Sequence, residues 1–408
     1  MFSINTVLID NHAADSPFAK EILFTPTASI MIETLLKVAG NKIFSFSAAN
    51  SENTVYDGAE NFSYEGSMKD IFRAELDAEH VLVMSAAMPT LTKQNYEALL
   101  RFHMQNNADI TILGDNDGID NFIVSLDGAY VFPCAVFKKD VLKLCENSGG
   151  VISAVSQCLK ENARVYSFKV KDAFEIRDNY DVYIAQKSIM EQVNKRWMKN
   201  GVHIVSPETT YIAPDAVIGR GASILPNTMI KTCCVIGENA VIGPNTVIEM
   251  SSIGDGSRVN ASQVFESSVG RNTTVGPFAY IRPLCSIGDG VRIGDFVEVK
   301  KSKIGNGTKV SHLTYIGDAV VGERVNFGCG TVVVNYDGYD KHTTVIGDDA
   351  FIGCNTNLVS PVTVGSRAFT AAGATITTDV PDGALAVSRV RQENKEGWND
   401  RRRKLKSK

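Results

Sequence analysis

The side chains best suited to moving a proton near neutral pH in the second half of the chain are His203, His312 and His342, because an unperturbed imidazole titrates at about 6.5. His312 lies in Ser311-His-Leu-Thr-Tyr-Ile-Gly-Asp. A single histidine more often bonds within its own fold than serves as a general base, so its neighbours must decide. Tyr315 directly precedes the apolar Ile316; if Ile316 points inward, the tyrosine ring projects outward, where an aromatic beside a base suits a binding groove. The eight cysteines (134, 145, 158, 233, 234, 285, 329 and 354) show no C-x-x-C spacing and read as reduced thiols of a cytoplasmic protein. Six basic residues crowd into Arg401 to Lys408, in a chain of net charge −5. Such a run reads as a solvated tail or an arm packed on a neighbouring subunit, and no nucleic-acid role is assigned to it.

These residues need a scaffold, and an internal period supplies it. Ile212, Ile218, Ile224, Ile230, Ile236, Ile242 and Ile248 recur every six residues. The phase resumes in a second register (Val269, Val275, Ile281, Ile287, Ile293, Val299), a third (Ile304, Val310, Ile316) and a fourth (Ile346, Ile352, Leu358, Val364, Thr370, Ile376). Six matches neither a helix nor a simple half-buried strand; it fits short strands that turn triangular corners. The expected fold for 204–388 is a left-handed parallel β-helix of hexapeptide repeats, about ten coils long. Gly, Asn and Asp after the aliphatic positions, as in Ile236-Gly-Glu-Asn-Ala, are expected to supply positive φ at the corners. Between Phe327 and Ile346 the phase breaks, which predicts an extruded loop.

Residues 1–177 carry no such period. Strand-like Val7 to Ile9 and Val81 to Met84 alternate with helix-like Ile30 to Val38 and Tyr96 to Gln105, predicting a Rossmann-like α/β domain, with a hairpin turning at Asp127-Gly128. Val182, Ile189, Val193 and Trp197 predict a connector helix within 178–203, capped by Asn or Asp and stopped by Gly201. Residues 389–408 form a C-terminal arm and basic tail. No stretch approaches the eighteen apolar residues of a membrane span, so no membrane role is expected.

The segments Gly276-Pro-Phe-Ala-Tyr-Ile-Arg-Pro, Phe296-Val-Glu-Val-Lys-Lys, Ser311-His-Leu-Thr-Tyr-Ile-Gly-Asp, Asn335-Tyr-Asp-Gly and Ser388-Arg-Val-Arg-Gln-Glu-Asn-Lys-Glu-Gly-Trp closely resemble the bifunctional N-acetylglucosamine-1-phosphate uridylyltransferase/glucosamine-1-phosphate N-acetyltransferase family. The resemblance covers about 205–398. It implies acetyl transfer from acetyl-CoA to glucosamine 1-phosphate, on the route to UDP-N-acetylglucosamine and the cell envelope. It also implies a homotrimer whose sites combine neighbouring β-helices and C-terminal arms. His312 matches the family's general base. Arg282 and Lys300 match residues that hold the sugar phosphate, a task suited to a guanidinium fork and an ammonium. Tyr315, Asn326 and Lys341 match further substrate contacts. Cys329, Asn335, Tyr336, Cys354, Ala372 and Arg389 match acetyl-CoA contacts, with cysteines at 329 and 354 where relatives carry Ala and Ser.

The N-terminal half departs from the family. Val7-Leu-Ile-Asp-Asn-His-Ala-Ala-Asp-Ser-Pro lacks the glycines and arginine of the phosphate-cradling loop, Gly66-Ser-Met-Lys is a poor match for the nucleotide-touching Gly-Thr-Gly-His, and Ala87 replaces the Asp that binds Mg²⁺. A methyl group cannot ligate magnesium. A degenerate nucleotidyltransferase domain, lost uridylyl transfer and no Mg²⁺ requirement for acetyl transfer are therefore expected; the hairpin explains Asp127 more simply than a metal site. The competing readings are a bifunctional enzyme that retains uridylyl transfer, a β-helix acyltransferase for another amino sugar, and a non-catalytic nucleotide-sugar sensor or scaffold. Three dispersed histidines do not suit a β-helix carbonic anhydrase.

Overall fold

A computed structural model describes residues 3–10, 21–38, 41–48, 58–64, 68–85, 87–113, 134–148, 151–170, 176 and 178–406. The proposed phosphate-loop segment after Asp10, Gly66, Ser67 and the Asp127-Gly128 hairpin lie outside the described residues. The chain forms two compact units, Met1–Lys195 with Ile212–Pro214, and Arg196–Tyr211 with Asp215–Lys408.

In the first unit, seven strands form one sheet in the order Glu60–Tyr64, Asn41–Ala48, Ile4–Asp10, His80–Ser85, Cys134–Lys138, Ile110–Leu113, Val165–Phe168. Only Cys134–Lys138 runs antiparallel to its neighbours. Alternate strand residues feed two cores. Val7, Phe44, Phe46, Val81, Val83 and Phe137 pack with Ile71, Leu142 and Val155 on one face. Leu8, Ile43, Leu82, Met84 and Val136 pack with Met31, Leu35 and Leu99 on the other. A sheet covered by helices on both faces explains why its strands read as continuous apolar runs. The strand order reverses between Ile4–Asp10 and His80–Ser85, the place where open α/β sheets bind ligands. Just past that strand end, Ala87 is buried and its carbonyl accepts a hydrogen bond from the Ile176 N–H at 3.0 Å.

Helix Asn179–Lys199 starts where Asp178 Oδ1 accepts the Tyr180 and Asp181 N–H groups, each at 2.9 Å. It ends at Gly201, whose φ of +89° only glycine adopts freely. The division between the two compact units falls within this helix rather than before it.

The second unit is a prism of three parallel sheets of eleven, ten and nine strands, wound as a β-helix. Ile224, Ile230, Ile242 and Ile248 are fully buried and fill its axis, as do Ile281, Ile293, Ile316, Ile352 and Leu358 further along. The left-handed corner residue sits three places after the inward aliphatic: Asn239 after Ile236, Asn272 after Val269, Arg324 after Val321. Where the hexapeptide phase slips, the corner is one residue shorter and the positive φ moves to the second place: Met250, Ala261, Glu266, Lys301 and Asp318. The first three registers of the sequence are thus one continuous coil with five-residue corners between them, and the fourth follows after one more such corner and the extruded segment.

The glycine after an inward aliphatic has another purpose. Gly237 does not adopt positive φ; a Cβ there would meet the backbone N of Asp255 on the next coil at 2.6 Å, so it permits close stacking while Asn239 makes the turn. Val332–Val334 remains a strand of the prism, which confines the extruded segment to 335–343.

Candidate active site

His312 ends strand Lys309–His312, at a corner of the prism. His312 Nδ1 lies 2.6 Å from Asp295 Oδ1, and the two residues are register partners on adjacent coils. A carboxylate only accepts, so Nδ1 carries the shared proton, and in the neutral ring Nε2 keeps its lone pair. The bond to His312 is the main cause that lowers the Asp295 pKa below the usual carboxylate value. Parallel pairing continues that corner line. Val310, Phe327, Ile352 and Thr370 are successive register partners, so His312, Cys329, Cys354 and Ala372, each two residues further on, occupy equivalent places on four consecutive coils. Rungs of this kind are about 4.8 Å apart. His312 therefore begins a line of small side chains, at whose far end Arg389 Nη1 donates to the Ala372 carbonyl at 3.0 Å. Cys329 is half-buried and Cys354 exposed.

A second group occupies the adjoining ten-stranded face and its margin. Arg282 lies next to strand Tyr280–Ile281, and Lys300 ends strand Glu298–Lys300 one coil on. Arg282 Nη1 contacts Glu298 Oε1 at 2.8 Å and its guanidinium lies 5.8 Å from the Tyr280 ring centre. The Lys341 ammonium crowds that of Lys300 and is the largest cause that lowers the Lys300 pKa; partial desolvation and Arg282 act in the same direction, and Asp318 opposes them. Cations held together in this way are set to receive an anion. Tyr315 stands outward on the same face, with room made by Gly317, where a Cβ would run into the Tyr315 hydroxyl and Asn335 Nδ2.

Asn326 stands across the His312 corner, on the face whose strand pairs run Lys309, Asn326, Phe351. Tyr336 is exposed on the extruded segment, pairs with Lys341 through an isolated antiparallel bridge, and donates its hydroxyl to the Gly338 carbonyl at 2.7 Å. Asp337 organises that segment by accepting from the Tyr339 and Asp340 amides at 2.8 and 2.7 Å and bonding His342 Nε2 at 2.7 Å. Asn335 is buried at its root and donates to Asp318. Among the described residues, no hydrogen bond or ion pair joins His312 to the cation group.

Sequence reading missed Asp295, Gly317 and Asp318. Asp295 had a signal: it precedes His312 by 17 residues, one coil, and each lies two places after an inward isoleucine or valine.

Residues 215–249 match the bacterial transferase hexapeptide model (six repeats), and residues 263–367 match the GMPPB C-terminal domain model. The chain is 51% identical over 268 residues to the bifunctional protein GlmU of Clostridium perfringens strain SM101, an alignment that covers 66% of this chain and 55% of that one. It is 40% identical over 359 residues to GlmU of Clostridium beijerinckii, with coverage of 79% and 78%. It is 41% identical over 355 residues to GlmU of Geobacillus sp. strain WCH70, with coverage of 78% and 77%. Against the two C. perfringens proteins it spans about half of their length.

Proposed function

The chain belongs to the family of the bifunctional protein GlmU, and we propose that its β-helix unit transfers an acetyl group from acetyl-CoA to the amine of glucosamine 1-phosphate. The observation that carries the reading is the Asp295–His312 pair, which leaves Nε2 as a proton acceptor at the head of the Cys329, Cys354, Ala372 line. Arg282, Lys300 and Lys341 hold the sugar phosphate, and Tyr315 and Asn326 flank the sugar. The donor lies along the corner line, with Asn335, Tyr336 and Arg389 contributing. Transfer is direct. Nε2 takes a proton from the amine as its lone pair attacks the thioester carbonyl, coil amides stabilise the oxyanion, and the coenzyme A thiolate leaves and regains that proton. No acyl-cysteine forms. Acetylation of glucosamine 1-phosphate by the purified protein, lost in His312→Ala, tests this; near-normal turnover in that variant refutes it.

The assembly is a homotrimer in this reading. Phe278 and Phe296 stack at 5.5 Å on adjacent coils, and Leu313 follows in the same corner position; all three are exposed at positive φ. Bulky side chains in that conformation are costly and exposed together call for a covering partner. Sedimentation equilibrium of the protein reads this, and a fully active monomer contradicts it.

Uridylyl transfer is lost in the same reading. The support is Ala87, a buried methyl where the family's Mg²⁺-binding carboxylate would stand, beside the point where the strand order reverses. A robust Mg²⁺-dependent yield of UDP-N-acetylglucosamine from UTP overturns it.

A further inference from the structure

We propose that Asp318 is a positioning residue for acetyl transfer: it pins both ends of the 335–343 excursion to the coil that carries Lys300, and so sets where Lys341 stands. The proposal rests on the acceptor reading above for its kinetic part only. Asp318 occupies a five-residue corner at a φ of +49°. Its N–H donates to the Lys300 carbonyl at 3.0 Å, and its own carbonyl accepts from the N–H of Thr344, where the excursion rejoins the prism, at 3.3 Å. Its carboxylate reaches the other end, with Oδ2 accepting from Asn335 Nδ2 at 2.5 Å and Oδ1 lying 3.8 Å from Lys301 Nζ.

Both Asp318 and Asn335 are nearly buried, at 8% and 7% exposure. A carboxylate so placed is retained only with donors and cations around it, and here they are Asn335, Lys301 and Lys300. The prism strands Val332–Val334 and Thr344–Ile346 hold the flanks of the excursion, and at its root the Asn335 side chain bonds the coil below through Asp318. The excursion's internal bonds, from Asp337 to Tyr339, Asp340 and His342, give it shape without attaching it to the prism. The Lys341 ammonium that it brings to Lys300 is repelled by that cation, so the excursion needs an anchor that acts against this repulsion. The Asp318–Asn335 bond is that anchor, and the Asp318 charge offsets the cations until an anion arrives.

Asp318→Ala removes both bond and charge, whereas Asp318→Asn keeps an acceptor for Asn335 and suits positive φ. Hydrogen exchange of the full-length protein, followed on a peptide spanning 335–343, reads anchoring without reference to activity. Exchange there should quicken about two- to tenfold in Asp318→Ala, as for loss of one buried hydrogen bond, and stay near wild type in Asp318→Asn. KM for glucosamine 1-phosphate should rise in Asp318→Ala by a similar factor with kcat within about twofold, and Asp318→Asn should recover most of it. Unchanged exchange in a folded Asp318→Ala protein overturns the proposal, as does equal acceleration in both variants. If the wild type fails to acetylate glucosamine 1-phosphate, the acceptor reading falls while the exchange experiment still decides the role of Asp318.

Discussion

Replacing Asp295 by alanine removes the oxygen that takes the His312 Nδ1 proton at 2.6 Å, and the imidazole is then free to rotate and to exchange tautomers. The expected loss is modest, for a reason visible in the structure. The His312 and Asp295 side chains are 53% and 38% exposed, so water screens their charges and can replace part of the bond. Orientation is what is lost, and a decrease in kcat of about three- to tenfold is expected, with KM for both substrates nearly unchanged. Loss of the base itself in His312→Ala should cost about 10²–10⁴. Asp295→Asn, whose amide oxygen can accept the same proton, should lie between wild type and Asp295→Ala. The decisive comparison is the double variant, measured by coenzyme A release under saturating substrates. If Asp295 acts through His312, His312→Ala/Asp295→Ala is no slower than His312→Ala alone. A further decrease in the double variant, or wild-type kcat in Asp295→Ala, refutes the positioning role.

Gly317→Ala should raise KM for the sugar phosphate while leaving the fold intact, because the new methyl displaces the Tyr315 hydroxyl and Asn335 Nδ2; circular dichroism and steady-state kinetics check the two halves of that statement. Ile316→Ala empties a fully buried place on the prism axis and should destabilise the second unit by about 2–5 kcal/mol, against about 1 kcal/mol for Ile316→Val, read from denaturant midpoints. The first unit should lose stability in mild acid. Burial lowers the His103 pKa from 6.5 to about 4, and neighbouring His80 contributes. Between those values the unfolded chain binds the extra proton, so stability is full above about pH 6.5 and falls by at most about 1.4 kcal/mol per pH unit down to about 4. His103→Gln should flatten that slope in urea titrations.

The sequence alone determined the prism, because its core is written as a period. Each coil buries one aliphatic per face, and no distant residue is needed to recognise Ile212 to Ile248 as successive faces of one winding coil. It also determined the ends of helix Asn179–Lys199, where Asp178 and Gly201 act on their immediate neighbours. His312 and the cations Arg282, Lys300 and Lys341 were named from their motifs. What surrounds them was not, because those contacts cross from coil to coil. Asp295 meets His312, Lys300 meets Lys341, and Asp318 meets Asn335 at separations of 17 to 41 residues. Such meetings depend on where each corner is five residues long and where it is six. A one-residue change there rotates every later side chain, so the alignment of Asp295, His312, Cys329, Cys354 and Ala372 exists only after the whole coil is wound.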